Sequence, residues 1–275
     1  MTSTTLQLSE PFGQIAYREA GLSHSGKAAP VVLIHGVGMQ SAAWGPQIEA
    51  FSKTHHVIAL DMPGHGGSDR IPSGSDLPVF LDWLLAVLDA LKLERVSLAG
   101  HSMGALIAGG FAVCHPERVA RVALLNGVFC RDEAASRSVV ARAELIGTGS
   151  FDLETPLRRW FGDTPIEQAA RDEVANWLSE VNIDGYATAY GAFARGDALY
   201  SDGFSKIRCP LLALTGDDDP NSTPAMSQAM ADAAPYGRAI IIEDHRHMVN
   251  MTAPNVVNAA LTDWLHTPSE QGELT

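Results

Sequence analysis

Arg95-Val96-Ser97-Leu98-Ala99-Gly100-His101-Ser102-Met103-Gly104 is the stretch that decides how this chain is read. Residues 95–99 form a short, β-branched and apolar run of the kind that makes a buried strand. Residues 103–115 are rich in helix formers and stop against Pro116, so the chain passes from strand to helix across a few residues. Between the two lies Gly-x-Ser-x-Gly. Alone, such a pattern arises by chance in about one chain of this length in ten. Its position between strand and helix gives it weight. A sharp turn there holds Ser102 in a strained backbone conformation with its hydroxyl clear of the sheet. Gly100 and Gly104 avoid the Cβ clashes that so tight a crossing would otherwise produce. The helix that follows points its positive end at the hydroxyl and favours negative charge developing there.

Outward from this turn, apolar runs alternate with helical periodicity, as in a mostly parallel sheet flanked by helices. Residues 6–19 read as two antiparallel strands joined near Pro11-Phe12-Gly13. Val31-Val32-Leu33-Ile34 and Val57-Ile58-Ala59-Leu60 are continuous apolar runs, as expected of strands buried on both faces. Residues 76–91 space leucines at helical intervals behind Asp76, a candidate N-cap. Residues 119–125, 211–215 and 238–242 are further strands, and residues 224–234 and 254–266 further helices. Residues 128–207 lack strand signals and hold helix formers and aromatics, among them Trp160, Phe161, Trp177, Tyr186, Tyr190 and Phe193. A stretch this long has structure of its own. It is read as a helical cap inserted over the carboxyl edge of a core domain made of residues 1–127 and 208–275, the edge where open α/β sheets bind ligands.

A serine hydroxyl needs a base to take its proton. Two clusters past strand ends can supply a base and a carboxylate: Gly216-Asp217-Asp218-Asp219-Pro220 and Glu243-Asp244-His245-Arg246-His247-Met248. The order Ser, then Asp, then His holds. With His35-Gly36-Val37-Gly38 and Asp61-Met62-Pro63-Gly64-His65-Gly66-Gly67-Ser68, these motifs resemble, in order, the signatures of the α/β-hydrolase superfamily in its serine-nucleophile branch. The resemblance implies the α/β-hydrolase fold with Ser102 as nucleophile. It selects Asp219 as acid, three residues past the strand-ending glycine and before a proline. It selects His247 as base, seven residues before Pro254. It also implies an oxyanion hole formed by the backbone N–H groups of Val37 and Met103, a pair of donors aimed at the oxygen that turns negative. His35 and His101 are expected to border the pocket. His245 and His247 could alternatively form half of a metal site, but no third ligand is evident in the sequence, and no metal or cofactor is expected.

Arg158-Arg159-Trp160-Phe161, Asp184-Gly185-Tyr186 and Ser222-Thr223-Pro224-Ala225-Met226 are similar to bacterial 3-oxoadipate enol-lactonase-like proteins. That similarity implies cleavage of a small carboxylic ester or lactone through an acyl-enzyme. Carbon–carbon hydrolases, amide hydrolases, perhydrolases and cofactor-free dioxygenases can keep the same three residues, and a small-molecule receptor could keep the fold. Ser102 argues against dehalogenases and epoxide hydrolases, which carry Asp at the turn. For a carboxylated substrate, Arg158 and Arg159 are the candidate cations, beside Trp160, with Arg142 and Arg195 as weaker ones; arginine grips a carboxylate through two parallel hydrogen bonds. The alternative is that these arginines are solvated helix-surface residues.

A formal charge of −13 over 275 residues disfavours nucleic-acid binding and docking on anionic membranes. The three cysteines are widely spaced and form no CxxC pair, which fits reduced thiols. The N-terminal residues show neither a basic nor an apolar signal region, and the cytoplasm is the expected location. The expected partner is a small molecule, and the expected state a monomer or homodimer.

Overall fold

The structure is a computed structural model that describes residues 3–26, 28–149 and 152–268. Its strands are β1 (Ser3–Gln7), β2 (Gln14–Ala20), β3 (Val31–Ile34), β4 (Val57–Leu60), β5 (Val96–His101), β6 (Val119–Leu125), β7 (Leu211–Gly216) and β8 (Gly237–Ile242). They form one eight-stranded sheet in the order β1-β2-β4-β3-β5-β6-β7-β8. The β1–β2 and β2–β4 pairs are antiparallel, and every pair from β4–β3 to β7–β8 is parallel. This is the α/β-hydrolase fold.

The helices are α1 (Gly45–Phe51), α2 (Leu77–Ala90), α3 (Met103–Cys114), α4 (Glu133–Gly147), α5 (Glu154–Trp160), α6 (Pro165–Glu180), α7 (Ile183–Gly196), α8 (Pro224–Ala233), α9 (Val249–Thr252) and α10 (Pro254–His266). They cover both faces of the sheet. On β3, Val31 and Leu33 pack with Ile48 of α1 and Trp264 of α10, while Val32 and Ile34 pack with Phe80 of α2 and Ile107 of α3. The two-residue alternation of a strand thus feeds two separate apolar clusters, which explains why the run is apolar throughout.

Some local readings need correction. Asp76 stands at the N-cap of α2 but its side chain makes no capping bond; Pro78 in the first turn presets the helical φ instead. The strand before Ser102 runs two residues further than expected, through Gly100 and His101. The short helices α1 and α9 went unforeseen, because four to seven residues give periodicity too little length to register.

Four helices, α4 to α7, lie between β6 and β7. Local capping starts three of them. Asp132 accepts from the Ala135 N–H, Asn182 accepts from the Gly185 N–H, and Thr164 and Glu167 close a reciprocal capping box. Helix α7 meets the loop after β4 at a glycine pair: a Cβ on Gly64 would stand 2.5 Å from the Gly185 Cα. An Arg70–Asp184 ion pair adds to that seam. Phe204, near the end of the stretch read as the cap, packs instead against Gly109 of α3. Among the described residues, no helix is long and apolar enough to cross a membrane.

Candidate active site

Ser102 sits between β5 and α3 with φ 54° and ψ −112°, a conformation that L residues rarely adopt. Such a residue costs about 1–3 kcal/mol and persists only where its surroundings enforce it. The surroundings do so. The Ser102 N–H donates to the Leu125 carbonyl at 2.9 Å. A Cβ on Gly100 would lie 2.0 Å from the Gly104 carbonyl oxygen, and one on Gly104 would lie 2.1 Å from that of Ile34. Both glycines are therefore steric necessities of the turn.

The acidic cluster resolves by burial. Asp217 and Asp218 are exposed, whereas Asp219 is buried. Asp219 Oδ2 accepts from His247 Nδ1 at 2.8 Å and from Asn126 Nδ2 at 2.9 Å. Asp219 Oδ1 accepts from the N–H groups of Asn221 and Ser222 at 2.8 and 3.1 Å. Burial by itself would push this carboxyl upward. Its interactions with the His247 ring and the other donors around it outweigh that and hold it below the ordinary carboxylate value. Because the acceptor is a carboxylate, His247 carries its hydrogen on Nδ1, which leaves Nε2 with a free lone pair. Ser102 and His247 line the same cavity, and no hydrogen bond joins them. Such contacts commonly tighten only with substrate in place. His245 is engaged elsewhere, with Nδ1 3.1 Å from Thr252 Oγ1. Among the described residues, no group of three or more potential ligands gathers as a metal site would need.

The imidazole is boxed in. Trp160 stacks on it with ring centroids 5.7 Å apart, and His101 lies against it at 5.0 Å. His101 Nε2 donates to the His247 carbonyl at 2.8 Å. Burial drives the His101 pKa down to about 3, so this ring is neutral. His101 borders the cavity as expected, yet its polar contact is with the backbone of the loop that carries His247. Arg246, next to the base, donates to the carbonyls of Arg158 at 3.1 Å and Phe161 at 2.7 Å, at the end of α5.

His35 does not reach the cavity. It is buried, its Nδ1 donates to the Gly36 carbonyl at 2.7 Å, and its Nε2 accepts from the Met62 N–H at 2.9 Å. Burial, with His65 nearby, holds it neutral and far below the ordinary histidine range. By fixing the Gly36 carbonyl it also fixes the Val37 N–H, the other end of the same planar peptide unit. This loop presses on the turn: a Cβ on Gly36 would stand 3.0 Å from the Ser102 Cβ. The amides of Val37 and Met103 have no acceptor among the described residues.

The cavity measures about 410 Å³, within the range that holds a small molecule. Arg159 and Trp160 line it, together with Arg142, the candidate read as weaker, and Arg131, which was not singled out. Arg158 does not: it is exposed and reaches back to Thr155 on its own helix. Asn126 was missed as well. It follows β6 with φ 48°, and its side chain bridges Asp219, Thr215 and the Arg246 carbonyl. An asparagine directly past a strand end, able to hold a positive φ, was the available signal.

Comparison with known proteins agrees with this geometry. Residues 31–260 match the model of the alpha/beta hydrolase family. The chain is 53% identical over 267 residues to (E)-2-((N-methylformamido)methylene)succinate hydrolase of Acinetobacter baylyi, covering 97% of this chain and 99% of that protein. The crystal structure of the enol-lactonase from Burkholderia xenovorans LB400 superposes with a TM-score of 0.83 at 26% identity, over 96% of this chain and all of that one. A thermophilic esterase from Thermogutta terrifontis shares the fold, with a TM-score of 0.83 at 24% identity over 97% of this chain and 100% of its own. From its motifs, sheet order and relatives, the chain belongs to the alpha/beta hydrolase family, and it is a hydrolase.

Proposed function

We propose that this enzyme is a serine hydrolase that cleaves an acyl–heteroatom bond in a small dicarboxylate, with an N-formyl enamide of the succinate type as the preferred substrate. The single observation that carries the chemistry is the His247–Asp219 hydrogen bond of 2.8 Å, which leaves Nε2 bare in the cavity that Ser102 lines. The substrate class rests on the 53% identity to a hydrolase of that description over nearly all of both chains.

In this reading His247 Nε2 takes the Ser102 proton as Oγ attacks the formyl carbon. The oxygen turns negative against the amides of Val37 and Met103, and Asp219 offsets the imidazolium charge without itself taking the proton. The C–N bond then breaks, and His247 returns its proton to the departing nitrogen. Water, deprotonated by the same imidazole, cleaves the formyl ester to formate and restores Ser102. A second reading, hydrolysis of a carboxylated enol lactone, is favoured by the superposition on the Burkholderia enzyme. Both substrates share an acyl bond to a heteroatom that is itself attached to a C=C bond.

A fluorophosphonate probe tests the nucleophile. The expected adduct maps by mass spectrometry to Ser102 and is absent from Ser102→Ala; an adduct elsewhere, or none, overturns the serine chemistry. Assays of a formyl enamide, an enol lactone, a simple ester and a diketone then rank the scissile bonds. Preference for the diketone would replace this reading with carbon–carbon cleavage.

A further inference from the structure

The cavity is cationic in a chain whose formal charge is −13. Three guanidinium groups line it, and they differ in what neutralises them. Arg131 is spoken for: its Nη1 lies 3.1 Å from Asp197 Oδ1, and its guanidinium lies 4.5 Å above the Phe193 ring. Its buried Nη2 has no hydrogen-bond partner. Arg142 on α4 and Arg159 on α5 have no carboxylate partner at all among the described residues. Arg142 lies 6.0 Å from the centre of the Tyr190 ring. Burial pushes the Tyr190 phenol up, against the opposing pull of the Arg142, Arg131 and Arg159 charges. The phenol therefore stays protonated and offers a neutral O–H donor beside them.

Arg142 and Arg159 sit on different helices yet line one cavity, and neither is met there by a carboxylate of the protein. The acids nearby form no ion pair with either arginine. Asp132 borders the cavity but is exposed and caps α4, while Asp152 feels the charge of Arg142 but is exposed and engaged by the amides of Glu154 and Thr155. An uncharged substrate would leave both guanidinium groups unanswered.

We propose that Arg142 and Arg159, with the Tyr190 hydroxyl, form the carboxylate subsite that makes the enzyme selective for a dianionic substrate. The two arginines are specificity-determining residues: they hold the substrate's carboxylates on the helical side of the cavity while its acyl group meets Ser102 on the sheet side. The proposal rests on the hydrolase reading above and adds the residues that recognise the charge. Arginine suits the task because its planar fork matches a carboxylate through two parallel hydrogen bonds, which lysine cannot reproduce.

Monomethyl succinate and methyl butyrate, nearly equal in size, differ by the distal carboxylate. In Arg142→Met and in Arg159→Met, the ratio of KM for the anionic ester to KM for the neutral one should rise about 10- to 100-fold, the loss expected for a hydrogen bond to a charged group. Arg159→Lys should recover only part of it. An unchanged ratio in both methionine variants would overturn the subsite. A second measurement does not depend on turnover. Calorimetric titration of succinate into Ser102→Ala should show binding that weakens by a similar factor when either arginine is also replaced, and equal affinity in the single and double variants would overturn the subsite as well. Absence of a fluorophosphonate adduct at Ser102, by contrast, overturns the serine chemistry and leaves the succinate titration to decide the arginines.

Discussion

The two walls of the cavity are built on opposite terms. On the sheet side the supporting side chains are buried and bonded: Asp219 accepts four bonds of 3.1 Å or less, and His35 has both ring nitrogens occupied by backbone. On the helical side Arg142 is half-buried, Arg159 is exposed, and neither has a counterion among the described residues. The side chains that support the first wall have their bonds within the protein, while the arginines of the second still have charge to be met. Chemistry needs groups held in place through the reaction, and recognition needs groups that still have bonds to make.

If that contrast is right, changes to the sheet side reduce kcat for every substrate alike. Asp219→Asn should do so most severely, by about 10⁴-fold, because the amide no longer demands the Nδ1–H form of His247. Steady-state kinetics on an anionic and a neutral ester check it; a loss confined to the anionic ester would break the comparison.

The next effect is on stability. His101 and His65 are driven by burial to about 3 and about 4, and both start from an ordinary value of 6.5. Between those limits the unfolded chain binds more protons than the folded one. Their contribution is therefore complete above about pH 6.5 and drains as pH falls towards 4, by up to about 1.4 kcal/mol per pH unit for each ring. Asp219 has the depressed carboxyl, so its share is kept down to about pH 4 and lost only below that. Urea midpoints measured from pH 7 to pH 4.5 should fall steadily, and His101→Asn should flatten the slope. A level profile would contradict the neutral buried rings.

Asn126→Ala sharpens the comparison with a subtler change. It removes a donor to the Asp219 carboxylate and should reduce kcat about 10- to 100-fold, with equal KM changes on the two esters. A selective rise in KM for the anionic ester would move Asn126 into the recognition wall. The smallest expected effect is that of Arg246→Met. Losing its two carbonyl contacts should lower kcat by about 2- to 10-fold, read against the same ester pair.

The legibility of the molecule divides along the same line. Ser102, Asp219 and His247 could be picked out because each follows a strand end in a local pattern that steric or hydrogen-bonding need imposes. Residues 211–215, for example, announce a strand, and a buried carboxylate follows at the first turn beyond it. The loop after β3 follows a similar rule, since Gly36 has little room for a side chain. The helical side was legible only in outline. Helix caps such as Thr164 and Glu167 depend on neighbours within the segment, but which arginines turn inward depends on how α4, α5 and α7 settle on one another. Arg158 and Arg159 are adjacent on one short helix, and about 100° of helical rotation separates a residue that lines the cavity from one that does not. His35 misled for a different reason. A histidine at a strand end beside the Ser102 turn looks like a ligand contact until both of its nitrogens are found bonded to backbone.

Arg246 joins the loop bearing His247 to the carbonyls that end α5, the helix carrying both Arg159 and Trp160. An outward swing of that helix must either rupture two hydrogen bonds or drag the imidazole with it. The helix that carries Arg159 and Trp160 and the loop that carries His247 are thereby tied to each other, through a residue that does not itself line the cavity.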